Sequence, residues 1–222
     1  MDSYEFWKFL HICMFVFWLG TDMGVMLCSK KSIDSTLSIE TRFQLLEMAL
    51  KIELLPRVMW VMALPLGVHL SASLGYIDPS LITLTLMWVF AIAWLIINVG
   101  GAANLDKPWG QQLSKLNRFI TASLGVGLII VAISSFMGFG PYEANSIALK
   151  VGLYGLVNIT ILGIEIAFFP LGASFERLAT EGSSPELEQS ISSGMGTTLM
   201  WVHITYIMIF VVAFIGVTKI AG

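Results

Sequence analysis

Residues 80–104 read SLITLTLMWVFAIAWLIINVGGAAN, a run without one charged side chain, entered through Asp78-Pro79 and left through Asp106-Lys107-Pro108. The bilayer interior holds no water to satisfy backbone N–H and C=O groups, so a crossing segment must be a helix of roughly 20 mostly apolar residues. This run meets that requirement, and it is not alone. Working outward, six stretches qualify: Glu5–Cys28, Leu45–Gly75, Ser80–Asn104, Leu113–Gly138, Ala144–Phe169 and Thr197–Lys219. The second is longer than one crossing and begins as an amphipathic, charged helix. Turn and cap residues separate the stretches, at Ser32-Ile33-Asp34-Ser35, Asp78-Pro79-Ser80, Asp106-Lys107-Pro108, Gly138 to Pro141 and Glu181 to Pro185. No linker is long enough to divide the chain into separate domains. The expectation is one all-α bundle over residues 1–222, with six transmembrane helices.

Composition agrees. Of 222 residues 56% are hydrophobic and only 12% are charged, against about 25% charged in an ordinary soluble domain, and the mean hydropathy is +0.82. So much apolar surface does not fit inside one soluble core of this size. A soluble enzyme, a disordered chain and a nucleic-acid binder built on basic patches are thereby excluded; the first partner is the lipid bilayer. The N-terminal Met1-Asp2-Ser3-Tyr4-Glu5 is acidic and no small-residue cleavage site follows Leu27, so the first stretch reads as a retained helix rather than a secretory signal. Cys13 and Cys28 would lie roughly 22 Å apart on one helix, too far for a disulfide. No phosphate-binding loop, dinucleotide fingerprint or nucleophile elbow is present.

Orientation follows from Lys and Arg. Side A, holding both termini, carries Lys8, Lys150 and Lys219; side B carries Lys30, Lys31, Arg42, Lys51, Lys107, Lys115, Arg118 and Arg177. The positive-inside rule puts side B in the cytoplasm and both termini outside, which for a bacterial inner membrane is the periplasm.

Ionisable groups inside spans are expensive and are functional candidates. They are His11, Asp22, Glu53, Arg57, His69, Glu165 and His203. His11 and His69 each lie a short way in from side A on consecutive antiparallel helices, so they reach about the same level. Two histidines at matched depth are the arrangement that holds a b-type haem between axial ligands. Gly67, Ser71, Ala72, Ser73 and Gly75 would give the macrocycle room, and Phe6, Trp7, Phe15, Phe17 and Trp18 an apolar wall. The plainer alternative is that each histidine bonds to a neighbour or to water near the headgroups. Toward side B, Asp22, Arg57, Glu165 and His203 are expected to converge, with Asn98 and Asn158 pointing to the same half. Glu53 and Arg57 have the spacing of an intrahelical ion pair. This second cluster reads either as charge neutralisation that locks helices together or as a site handling protons or a quinone. Pro56 and Pro65 are expected to kink the segment between Glu53 and His69. Gly20 and Gly24 match a small-xxx-small packing pattern.

Trp7-Lys8-Phe9-Leu10-His11-Ile12, then Trp18-Leu19-Gly20, then Arg42-Phe43 and Glu47 before a Pro- and Gly-containing helix, resemble the N-terminal half of HemJ-type protoporphyrinogen oxidases. They are also similar to the CopD-like family of bacterial membrane proteins. The resemblance covers roughly residues 4–75. It implies a bacterial inner-membrane helical bundle whose first-helix histidine, here His11, is a haem ligand or otherwise essential. The expected function is that of a b-type haem protein passing electrons between a quinone-like membrane carrier and a partner, with a redox subunit or a homo-oligomer as the expected protein partners. One alternative is a porphyrinogen oxidase acting on a tetrapyrrole. Another is a copper or small-solute transport or assembly subunit without redox chemistry, using Asp22, Glu165 and His203.

Overall fold

The computed structural model describes residues 3–218, and among them there are eight helices and no strand. They are α1 (Ser3–Ser32), α2 (Ile39–Ile52), α3 (Leu54–Ser73), α4 (Leu81–Ala102), α5 (Pro108–Phe136), α6 (Asn145–Phe168), α7 (Leu171–Glu181) and α8 (Pro185–Thr218). Among the described residues six spans are long and apolar enough to cross a membrane, α2 and α3 counting together as one and α6 and α7 as another. The all-α six-span bundle read from the sequence is therefore what the chain builds. Lys219, where the last stretch was expected to end, lies outside the described residues.

Local chemistry sets the boundaries. The Ser38 and Ser80 hydroxyls accept from the Thr41 and Thr83 amides at 3.2 and 3.1 Å and cap α2 and α4. Pro108 opens α5 at a position where no amide hydrogen is needed. Gly75 and Gly138, with φ of 75° and 84°, end α3 and α5 in the left-handed region. Between α1 and α2, Asp34 accepts from Lys31 at 2.7 Å and from the Thr36 hydroxyl at 2.6 Å. These partners hold its carboxyl well below the usual carboxylate range.

The second span breaks at Glu53, which closes α2 and opens α3 in helical geometry. Pro56 has no amide hydrogen for the Ile52 carbonyl one turn back, so the ladder is interrupted there. Several boundaries differ from the sequence reading. α2 starts at Ile39 rather than near Leu45, α5 at Pro108 rather than Leu113, and α8 at Pro185 rather than Thr197. α7 falls in a stretch read as a connection. All these extensions carry too many polar residues for a hydropathy window; those of α2 and α8, and α7 itself, nevertheless bury one apolar stripe, whereas the first turn of α5 buries only Gly110.

The six spans form a ring in the order α1, α3, α4, α5, α6, α8, with neighbours packed broadly except at the closure, where α8 meets α1 only over a short length. The core joins Met14, Trp18, Trp60, Val61, Leu66, Trp94, Val157 and Ile209. Close backbone approach lets α5 and α6 pack: a Cβ on Gly155 would fall 2.8 Å from the Gly125 carbonyl oxygen. Likewise the face of Trp201 lies where a Cβ on Gly163 would be, at 2.6 Å, joining α6 to α8. The outer surface is apolar, with Leu81 80% and Ile82 73% exposed on α4, as a lipid-facing helix requires.

A second, smaller core lies beyond the spans on side B. There Leu171, Phe175 and Leu178 of α7 pack on Leu187, Ile191 and Met195 of α8, against Ile33, Ile39, Phe43 and Leu46. Arg42, 1% exposed, ties this cap together. Its guanidinium donates to the Ser32 carbonyl at 2.9 Å and to both Glu188 carboxylate oxygens at 2.7 and 3.0 Å.

Candidate functional site

The side-B third of the bundle holds a polar network spanning four helices. Arg57, at the start of α3 and one turn after Glu53, is its centre. Its Nε donates to Glu53 Oε1 at 3.0 Å, and Nη2 lies 2.7 Å from the same oxygen. Its Nη1 donates to Asn98 Oδ1 of α4 at 2.9 Å and to Glu165 Oε1 of α6 at 2.8 Å. Asn117 of α5 donates to the same Glu165 oxygen at 3.1 Å and accepts from Trp94 Nε1 at 2.9 Å. One layer deeper, Trp60 donates to Asn158 Oδ1 at 3.2 Å, Asn158 donates to the Tyr154 carbonyl, and the Tyr154 hydroxyl donates to the Trp60 carbonyl. These bonds cross the middle of the ring between α3 and α6. The Nδ2 of Asn98 and the hydroxyl of Thr121, both buried, have no hydrogen-bond partner among the described residues.

Asp22 of α1 stands at the edge of this network. Its carboxylate is within electrostatic reach of Glu53 and Arg57, and the Tyr206 hydroxyl of α8 approaches it. That hydroxyl is buried and has no well-directed hydrogen bond. The expected convergence of Asp22, Arg57 and Glu165 is thus present, with Arg57 and Glu165 in direct contact. His203 does not join it. Thr205 bonds Thr160 at 2.8 Å and Trp201 packs on Gly163, which turns that face of α8 toward α6 and leaves His203 exposed on the outside. Its Nδ1 pairs with the Leu199 carbonyl at 2.6 Å.

Comparison of the chain with protein-family models, with curated proteins and with solved structures gives no match. What the side chains can do must come from their geometry.

At side A, α1 and α3 pack closely, but His11 and His69 meet different partners. His11 lies against Gly67, where a Cβ would stand 3.9 Å from its Cε1. His69 stacks on Trp7, one turn before His11, with ring centroids 3.9 Å apart and planes 10° from parallel. The two imidazoles are therefore offset by about one turn, not level. Trp88 Nε1 of α4 donates to His69 Nε2 at 2.9 Å, occupying one nitrogen that could ligate iron. A haem held by two histidines needs both ligating nitrogens to face each other across a flat slot. Here an indole fills the space over His69, so the pair does not fit a bis-histidine haem. His11 differs from His69: its Nδ1 is buried and has no hydrogen-bond partner among the described residues, and Lys150 of α6 is within electrostatic reach of the ring. Among the described residues no three His, Cys, Asp or Glu side chains gather as a metal-binding group.

The sequence reading missed Asn117, Trp94 and Tyr206. Asn117 lies between Lys115 and Arg118 in the polar opening of α5, where an amide does not stand out. Nothing in the sequence set Tyr206 apart from aromatic residues that face lipid.

Proposed function

We propose that this chain is a multi-pass membrane protein that handles protons together with a lipid-dissolved carrier of quinone type, at the network centred on Arg57. One observation carries the reading. A single guanidinium meets two carboxylates, Glu53 and Glu165, with Asp22 close by. Negative charge in excess inside a span is costly, so the cluster is suited to hold a proton or a cation that neutralises it. A site whose charge balance depends on a labile proton is equipped to give one up when its partner is reduced or oxidised. Glu53, 26% exposed on its side chain, provides the connection toward side B.

The test is infrared difference spectroscopy of the purified protein in lipid nanodiscs with and without a short-chain quinone. A change in protonated-carboxyl absorption that disappears in Glu165→Gln is expected. A spectrum with no carboxyl change, identical in wild type and Glu165→Gln, overturns the reading.

A second reading, a haem-bearing electron carrier, is favoured by the buried, unpartnered Nδ1 of His11. Here His11 would be the only histidine ligand, and the haem, when bound, would supply one-electron chemistry. The likeness of residues 4–75 to HemJ-type and CopD-like proteins supports the same position. A Soret band in the purified protein, lost in His11→Ala and kept in His69→Ala, is its expected signature. We further propose that side B faces the cytoplasm of a bacterial cell, from the excess of Lys and Arg on that side. The thiol of Asp106→Cys, in a chain lacking Cys13 and Cys28, should then resist impermeant maleimide in intact cells.

A further inference from the structure

The ring of spans is weakest where it closes. α8 lies broadly along α6 and α7 and meets α1 over only a short length. The two run antiparallel, and the edge-to-face contact of Phe15 with Phe210, centroids 6.3 Å apart, fixes their register. Two turns onward along α1 and two turns back along α8 bring Asp22 and His203 to one level. Tyr206 stands between them: its ring is 6.4 Å from that of His203, and its hydroxyl approaches Asp22. From outside to inside, the seam thus offers an exposed imidazole, a phenol and a carboxylate, and behind the carboxylate lies the Arg57 network.

Two features of this series need explaining. An ionisable side chain on the lipid-exposed surface is unfavourable and normally faces a polar partner or pathway. A buried hydroxyl without a directed hydrogen bond is costly and rare, and that of Tyr206 only approaches Asp22. Both stand at one seam, at one depth. The chemistry also restricts the ligand. Asp22 and the excess carboxylates behind it repel an anionic headgroup, so the ligand carries no negative charge, and a ligand that enters from the hydrocarbon is neutral. An oxygen that accepts from Tyr206 in one redox state and donates to Asp22 in the other is that of a quinone and its quinol.

We infer that the seam between α1 and α8 is a lateral binding site through which a neutral quinone in the bilayer reaches the bundle interior, its ring oxygen taking a hydrogen bond from Tyr206. His203 marks the mouth of the site. The inference rests on the proton-handling reading of the Arg57 network, because that network gives the seam somewhere to lead.

The experiment is a titration of the full chain in nanodiscs with a short-chain ubiquinone analogue, read by quenching of tryptophan fluorescence. Saturable quenching is expected. Tyr206→Phe keeps the ring and removes only the hydroxyl, and should weaken binding about tenfold, the effect of one lost buried hydrogen bond. His203→Trp, at an exposed position, should weaken it as well by narrowing the mouth. Saturable binding that Tyr206→Phe and His203→Trp leave unchanged, while Glu165→Gln alters it, overturns the seam and leaves the network reading intact. Binding weakened by Tyr206→Phe with no infrared carboxyl change in any variant supports the seam and removes the network. Quenching that never saturates overturns both.

Discussion

Replacing Arg57 by methionine preserves much of the side-chain volume and removes the one cation of the buried network. Three acceptors then lose their donor: Glu53 Oε1, Asn98 Oδ1 and Glu165 Oε1, now 2.7–3.0 Å from the guanidinium. Glu165, whose side chain is 13% exposed, keeps only the bond from Asn117. Removing one member of a buried ion pair costs about 3–5 kcal/mol, mostly for the charge left unpaired. For a chain of this size, that corresponds to a fall in Tm of roughly 6–20 °C. The informative variant is the double one. Adding Glu165→Gln removes the stranded charge while keeping an oxygen for Asn117, so it should restore about 1–3 kcal/mol relative to Arg57→Met alone. The assay is thermal unfolding in nanodiscs at one scan rate, because unfolding of such proteins is often irreversible and the midpoint depends on rate. Arg57→Met melting with the wild type, or strictly additive effects in the double variant, would refute the coupling.

Three further outcomes follow from the packing. Arg42→Met leaves Glu188 with Ser183 as its remaining side-chain donor and should cost about 3–5 kcal/mol; amide exchange should quicken across residues 171–195, and unchanged protection there would contradict the role given to Arg42. Gly155→Val puts side-chain carbon against the Gly125 carbonyl and Ile129 and should destabilise by about 1–3 kcal/mol, whereas Gly20→Ala, which meets nothing within 4 Å, should stay within about 0.5 kcal/mol of wild type. Outside the spans, Lys31→Met should move the Asp34 titration upward toward the ordinary carboxylate range in carbon-detected NMR, since Lys31 is the foremost cause of its depression; an unmoved midpoint would assign the effect to Thr36.

How far the sequence reached depends on which quantity each feature obeys. Hydropathy over a window is a sum, and the six spans are legible because each sum is large whatever the neighbours do. Leu171, Phe175 and Leu178 form an equally regular stripe, but only one face of α7 is apolar, so its sum is small and the helix passed as a connection. Depth is nearly as legible, since it needs only the rise per residue: it brought Arg57 and Glu165 to one level and His11 and His69 to within about a turn. Rotation is different. Whether His203 turns inward is decided by which helices lie beside α8, and that is known only once Trp201 is seen against Gly163 and Thr205 against Thr160. The same limit applies to His69, which Trp7 and Trp88 claim. Charged residues were found because they are scarce in spans; Asn117 and Tyr206 are neutral and do not stand out.

The pairing of Arg42 with Glu188 has a consequence for how the protein is made. The two partners are separated by 146 positions, so at 5–20 residues per second roughly 7–30 s of synthesis pass between them. For most of that interval the second helix has its guanidinium unanswered, and the cap it belongs to has no α8 to close over it. Arg57 waits for Glu165 in the same way, across 108 positions. Early membrane insertion therefore yields an intermediate in which Arg42 is unmatched and Arg57 has only Glu53, one turn before it, to answer its charge. A nascent chain cut before α8 is left with its first charge unmatched, and quality-control proteases have a feature by which to tell it from the finished protein.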